Sequence, residues 1–367
     1  MRIGYVIWSL GLGGAEQVVM RLAEEISSRG HEVTLFTLNE PGVFAPQMMY
    51  KGIPVLSLCK RGKLDFSVLG KLKRQFQMRR LDVVHTHLWG ANFWGRVAAR
   101  LARVPVVIAH EHGMQPWRGW LHYRLDRWLY GKTNRVLFVS RQVMREFLAK
   151  SGLKESRCTL IPNGVDDKPC VESRQRLRRE FGWRDEERVI ISVGRLSVEK
   201  GYEDLVRAFA RVARLAPRVR LVILGEGQER QALERLREEV GLNGQVTFAG
   251  LRDDVKRWLA AADFYVQPSR REGLSLAILE AMVAGLPVVA TRVGDVDQVI
   301  RDGQEGYLVE ANDPDALAQA LLRVLGQPTY LQLPVVGAAK RVIQDRYSLR
   351  RMVDVVERLY SDELATS

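Results

Sequence analysis

Twice along the chain, short apolar runs alternate with amphipathic helical stretches, and this repetition constrains the fold more than any other feature. The strand-like runs of the first series are 3–8, 32–37, 83–85, 106–109 and 136–139; those of the second are 189–193, 220–224, 246–248, 264–266 and 288–290. Helical patterns such as 17–29 and 205–215 fall between them. Strands that alternate with helices form parallel sheets covered on both faces. At 367 residues the chain is long enough for two such domains. The fold class read from this is α/β, two Rossmann-like domains with parallel sheets facing across a cleft. Pro, Asn-Gly and two Asp in IPNGVDDKP (161–169) mark the boundary between them. A helical segment at 172–183 then opens the second domain, and a last helix, about 349–364, closes the chain.

Composition limits the class of function. Hydrophobic content of 46% and charged content of 27% suit a globular protein. No apolar run approaches the roughly 20 residues of a membrane-spanning helix. The start reads as a buried strand entering a Gly-rich loop rather than a secretory signal. Cys59, Cys158 and Cys170 make neither a metal spacing nor a disulfide framework, which fits a reduced, cytoplasmic setting. The net charge is +13, and residues 1–166 hold all of that excess. Two stretches concentrate it. In 60–80, Val68, Leu69, Leu72 and Phe76 share a helical face, with Lys71, Lys73, Arg74, Arg79 and Arg80 on the others. In 117–132, Trp117, Trp120, Leu121, Leu125 and Trp128 stand among Arg118, Arg124, Arg127 and Lys132. Basic amphipathic helices with Trp suit an anionic membrane surface; the competing reading packs both apolar faces on the first domain's sheet.

Open parallel sheets bind ligands at the carboxyl ends of their strands, and the notable residues collect there. GLGGAE (11–16) follows the first strand and opens a helix, so backbone N–H groups at Gly13 and Gly14 can approach a phosphate. A dinucleotide fingerprint would need Gly where Glu16 stands, although Glu40 lies about where a ribose-binding acid would be. In SVGRLSVEKG (192–201), Arg195 and Lys200 project from the loop after the second domain's first strand, as two cations suited to a pyrophosphate. In REGLSLAILE (271–280), Gly273, Leu274, Ser275 and Leu276 open a helix whose free N–H groups form an anion site. That helix reads as apolar on every face, hence buried, yet Glu280 sits in it and needs a partner. Ribose hydroxyls would serve; so would a cation such as Arg195. Glu272, ahead of the helix, could face a sugar.

Four of the six histidines form two His-x-His pairs at strand ends, His85 with His87 and His110 with His112. Such pairs could ligate zinc, but polar residues lining a cleft are the favoured reading, with no metal required. DVD (295–297) matches the Asp-x-Asp of metal-dependent sugar transferases, a pattern too short to carry weight.

Taken together, GLGGAE, VGRLSVEKG, FAGLRDDV, PSRREGLSLAILEAMVAGLPVVA and DGQEGYLV resemble family 4 of the retaining glycosyltransferases, which has the GT-B fold. The resemblance covers nearly the whole chain. It implies that Glu272 and Glu280 contact the donor sugar and the nucleotide ribose, that Arg195 and Lys200 hold the diphosphate, and that Gly13 and Gly14 approach it from the other domain. Gly250 and Leu251 of FAGLRDDV join the donor-binding set. A histidine lies beside the transferred sugar, either His110 or His112, with His112 favoured. His85 and His87 are candidate acceptor contacts. The resemblance also implies that the last helix returns to the first domain. The domains are then 1–166 plus 349–367, binding acceptor, and 167–348, binding donor.

The expected activity is metal-independent transfer of a sugar, with retention, from a nucleotide diphosphate sugar, UDP being the expected nucleotide. The acceptor would be a lipid-linked or polysaccharide precursor, reached from the cytoplasm or its membrane face; no nucleic acid partner is expected. A nucleotide-sugar epimerase of the same fold and a non-catalytic sugar- or membrane-binding module are the alternatives. The family often carries Gly-Gly-x-x-Glu after the strand at 288, where this chain has Gly294-Asp295-Val296-Asp297-Gln298.

Overall fold

The computed structural model describes residues 1–62, 65–113, 117–168 and 170–367. Lys63 and Leu64 of the first basic stretch, and Pro169 of the boundary segment, lie outside the described residues. The chain divides into unit 1, Met1–Gly164 with Leu349–Ser367, and unit 2, Val165–Ser348.

Unit 1 holds a seven-stranded sheet: β1 (Arg2–Ile7), β2 (Glu32–Thr37), β3 (Val55–Ser57), β4 (Val83–His87), β5 (Val106–Glu111), β6 (Arg135–Phe138) and β7 (Cys158–Leu160). Its spatial order is β3-β2-β1-β4-β5-β6-β7, with every pairing parallel. Unit 2 holds β8 (Arg188–Val193), β9 (Val219–Leu224), β10 (Val246–Gly250), β11 (Phe264–Gln267), β12 (Val288–Thr291) and β13 (Tyr307–Val309). Their order is β10-β9-β8-β11-β12-β13, again all parallel. Each sheet is doubly wound. The strand order reverses between β1 and β4 in unit 1 and between β8 and β11 in unit 2, and such a switch point leaves a crevice at the strands' carboxyl ends.

Burial on both faces explains why the strands are almost wholly apolar. In unit 2, Val189, Ile191, Val222, Leu224 and Tyr265 enter one core, while Ile190, Leu221, Ile223, Phe264 and Val266 enter the other. Alternate side chains of one strand thus feed opposite layers. β3, β7 and β13 have no counterpart in the sequence reading. Each is three residues long and ends its row or lies at a sheet edge, too short to show a period.

The last helix, Leu349–Ala365, packs within unit 1. Glu357 pairs with Arg29 and His31, and Tyr360 is fully buried beside Tyr5. The two basic amphipathic helices differ. Val68, Leu72 and Phe76 of the helix Ser67–Met78 lie in the unit 1 core, so packing on the sheet accounts for that apolar face. In the helix Trp120–Tyr130 only Asp126 and Leu129 are buried, and Trp120, Leu121 and Trp128 are exposed.

Candidate functional site

In unit 2 the sequence-predicted residues come from both sides of the switch point. The loop after β8 carries Arg195 and Lys200. Gly201 ends that loop in the left-handed region, φ 67°, and a Cβ there would stand 2.0 Å from the Pro268 carbonyl oxygen. Only glycine lets the β8 loop lie this close to the segment after β11. Across that approach, the Lys200 ammonium pairs with the Glu272 carboxylate. Arg195 is exposed, and its guanidinium forms no ion pair among the described residues. It is therefore not the partner of Glu280.

Glu272 is held from behind by a polar relay. Tyr265 Oη donates to Gln267 Oε1 (2.5 Å), Gln267 Nε2 to Ser269 Oγ (2.7 Å), and Ser269 Oγ to Glu272 Oε2 (3.1 Å). Ser275 Oγ also donates to Gln267 Oε1, at 3.2 Å. The relay is buried, so each member is fixed by the cost of losing its partner. Gln267 and Ser269 escaped the sequence reading, because a buried polar residue at a strand end looks like any other turn residue. Gly294 and Asp295 were also missed as supports. Gly294 has φ 65°, with room for no Cβ against the Glu272 and Gly273 carbonyl oxygens, and Asp295 N donates to Gly273 O at 2.9 Å. The glycine in GDVDQ was the available signal.

The helix at this site is Leu276–Val283, with Ser275 at its N-cap. Ile278, Leu279, Ala281 and Met282 are buried, but Leu276, Ala277, Glu280 and Val283 are only partly so. The expectation of a helix buried on every face is corrected: Glu280 lies on its more open side, where a carboxylate keeps contact with water. The first-turn N–H groups have no intrahelical partner, so Gly273 to Leu276 offer backbone donors next to the Glu272 that Lys200 pairs with. Gly250 ends β10 and accepts from Gly225 N at 2.8 Å, while Leu251 beyond it is exposed. Asp295 and Asp297 enter no metal-ligating group among the described residues.

In unit 1, Gly13 caps the helix Gly14–Ser28 at the end of β1, and the Glu16 carboxylate lies against it: a Cβ on Gly13 would stand 2.1 Å from Glu16 Oε2. On the other side of the switch point stand the histidines. β4 and β5 pair in parallel register with His87 opposite His110. Alternation then places His85, His87 and His110 on one face of the sheet, and Glu111 on the other, where it accepts from Asn92 Nδ2 and Arg118. The rings of His110 and His112 lie 4.3 Å apart, and those of His85 and His87 4.2 Å. His87 Nδ1 and His112 Nε2 are hydrogen-bonded at 2.9 Å. Burial lowers all four basicities, His112 to about 3. These are neutral imidazoles at pH 7, able to hydrogen-bond but not to act as cations. His85 is fully buried and bonds Tyr360 Oη at 2.6 Å. The expected acceptor contact at His85 is therefore corrected to an interior hydrogen-bonding role. His87 is likewise fully buried, His110 nearly so, and His112 is the most open of the four.

A family model described as "Glycosyl transferases group 1" matches residues 173–340, and one described as "Glycosyltransferase Family 4" matches residues 12–168. The chain belongs to this family of glycosyltransferases. It is 26% identical to the UDP-Gal:alpha-D-GlcNAc-diphosphoundecaprenol alpha-1,3-galactosyltransferase of Escherichia coli, over 96% of this chain and 94% of that one. It is 28% identical to the phosphatidyl-myo-inositol mannosyltransferase of Mycobacterium leprae, over 100% and 98%. Among solved structures, Anabaena Alr3699/HepE in complex with UDP and glucose superposes with a TM-score of 0.87 at 22% identity, covering 99% of this chain and 100% of that one. Its likeness shows the fold, two Rossmann-like halves of the GT-B class.

Proposed function

We propose that this glycosyltransferase moves a sugar, with retention at the anomeric carbon, from a UDP-sugar to a lipid-linked or polysaccharide-precursor acceptor at the cytoplasmic face of a membrane. The observation that carries the donor reading is the Lys200–Glu272 pair just ahead of the Leu276 helix, with Arg195 exposed on the same loop as Lys200 and in no ion pair among the described residues. Cations and backbone N–H groups of this kind are the donors a leaving diphosphate requires while negative charge grows on it. Glu280 suits ribose hydroxyls and Glu272 the sugar. The leaving phosphate accepts the acceptor's proton, the acceptor oxygen bonds the anomeric carbon, and the carbon–phosphate oxygen bond breaks on the same face. Arg195, Lys200 and backbone N–H groups answer the charge, so the step asks for no metal at the diphosphate. His112, neutral and the most open of the four clustered histidines, is the one suited to contact the sugar. The UDP bound in the HepE complexes supports that nucleotide, and the diphosphoundecaprenol acceptor of the E. coli relative supports the acceptor class.

The helix Trp120–Tyr130 supports membrane contact. Trp120 is 69% exposed and Trp128 52%, with the Arg124 guanidinium 5.5 Å and the Lys132 ammonium 3.8 Å from their ring centres. Indoles flanked by cations suit the headgroup region. Among the described residues, no helix is long and apolar enough to cross a membrane. Arg118 does not belong to this surface; it is buried against Glu111 and Asp126.

The deciding experiment is product analysis with UDP-, GDP- and ADP-sugars and an undecaprenyl-diphosphate glycan acceptor. A new α-linkage from an α-linked UDP-sugar is expected. Inversion, or isomerisation of the donor without any acceptor, would overturn the reading.

A further inference from the structure

From the histidine cluster of unit 1 we infer a second site, for a transition metal ion, zinc being the ion it best fits, held by His85, His87 and His110. The ligating nitrogens of these three residues lie within 4.8 Å of one another, and all three side chains are buried. His85 Nε2, His87 Nε2 and both nitrogens of His110 have no hydrogen-bond partner among the described residues. Buried polar atoms without partners are rare, and several aimed at one small volume call for something that satisfies them together.

The hydrogen bonds around the cluster prepare lone pairs rather than N–H groups. Tyr360 Oη donates to Tyr5 Oη at 3.2 Å, so it accepts at 2.6 Å from His85 Nδ1. That fixes the proton of His85 on Nδ1 and leaves Nε2 bare, facing the cluster. An oxygen on the outer nitrogen is what orients a metal-binding imidazole and raises its basicity. His87 can do likewise, donating from Nδ1 to His112 Nε2, which again leaves Nε2 bare. Three neutral imidazoles suit zinc, copper, nickel or cobalt and are poor ligands for magnesium or calcium.

Ring separations of 4.2, 5.3 and 5.5 Å are those of imidazoles converging on one centre. Zinc–nitrogen bonds of about 2.0–2.1 Å would draw the rings slightly inward. Three protein ligands leave a fourth position for water. The ion would pin the carboxyl ends of β4 and β5 together. None of its ligands is among the unit 2 residues that carry the donor reading, so the inference stands or falls independently of that reading.

The test uses the full chain without a histidine tag, stripped by chelator and titrated with Zn²⁺ and Co²⁺ against a chromophoric competitor. One ion per chain is expected, with the intense visible bands of tetrahedral Co²⁺ and a higher thermal midpoint on loading. The pair His87→Asn and His110→Asn should abolish stoichiometric binding. Tyr360→Phe should weaken it about 10- to 100-fold without changing its stoichiometry. His31→Asn and His122→Asn, outside the cluster, should leave it unchanged. Absence of one-to-one binding in the wild-type chain would overturn the site. So would full affinity in a folded His87→Asn/His110→Asn protein, or unaltered affinity in Tyr360→Phe if those variants fail to fold.

Discussion

Lys200 and Glu272 neutralise each other across the β8 and β11 loops, whereas Arg195 is exposed with no ion-pair partner among the described residues. The two cations therefore stand differently toward a donor. Lys200 must be shared with Glu272, but the whole charge of Arg195 is available to a diphosphate. Arg195→Ala should lower turnover on saturating donor by about 10²- to 10³-fold, the usual cost of losing one preorganised oxyanion donor. Its stability should change by no more than about 0.5 kcal/mol, because the side chain is exposed. Steady-state rates with a matched denaturation curve check both halves, and near-normal turnover would remove Arg195 from the chemistry. Glu280→Gln has a different expected outcome. A charge-assisted hydrogen bond of about 1.5–3 kcal/mol would be lost from the bound nucleotide, roughly 10- to 150-fold in affinity by calorimetry. An unchanged affinity with a lower melting temperature would make Glu280 a structural residue.

Within the elements, the helix Trp120–Tyr130 is held by the buried charge of Asp126 and by Tyr123, Leu129 and Tyr130, while Trp120 and Trp128 stay exposed. Arg96 Nη2 donates to Asp126 Oδ1 at 2.6 Å, and Arg118 Nη2 to Glu111 Oε2 at 2.7 Å, all with side chains at most 3% exposed. Burial pushes the Glu111 pKa up, against the pull of Arg118. Removing one partner of a buried pair strands the other, so Arg118→Gln should cost about 3–5 kcal/mol in urea unfolding. Arg124→Gln with Arg127→Gln should leave stability nearly intact and instead weaken sedimentation with anionic vesicles, an effect that fades with added salt. Equal recovery on neutral and anionic vesicles at low salt would remove the membrane reading. The last helix offers a pH test. His31 and Arg29 hold the Glu357 pKa below the usual carboxylate range. A depressed folded value means stability that is present above about pH 4.3, the unfolded value, and lost as pH falls below it. Glu357→Gln should thus cost roughly 1–2 kcal/mol at pH 7, and the gap to wild type should close as the pH drops below about 4. A gap that persists at low pH would place its origin in packing.

At the scale of the whole molecule, ligand linkage tests the donor class most directly. A nucleotide at 100 times its dissociation constant should stabilise the chain by about 2.7 kcal/mol. UDP is expected to shift the thermal midpoint further than GDP or ADP at equal concentration, and a larger shift with GDP would reassign the donor. Transfer should also survive chelation. Loss of activity in EDTA, restored by zinc or manganese, would put a metal into the transfer step itself.

Much of this was determined by the sequence alone. Apolar runs alternating with amphipathic helices are a local consequence of burying both faces of a parallel sheet, so the two Rossmann-like halves and ten of their strands were legible. The residues of the donor-binding motifs were legible too, because each motif sits on one continuous stretch that a strand end presents as a unit. Tertiary structure decided the rest. Both basic stretches have the same amphipathic pattern, but only the contact of Val68, Leu72 and Phe76 with the unit 1 core shows which face is packed and which stays bare. Arg118 reads as one more cation beside tryptophan until Glu111 and Asp126 close around it. Gln267 and Ser269 gain meaning only from the hydrogen bonds that carry them to Glu272. The histidines of residues 85–87 and 110–112 meet because β5 lies beside β4 with His87 opposite His110. Strand neighbourhood and register are set by packing over the whole sheet, and no window of sequence contains them.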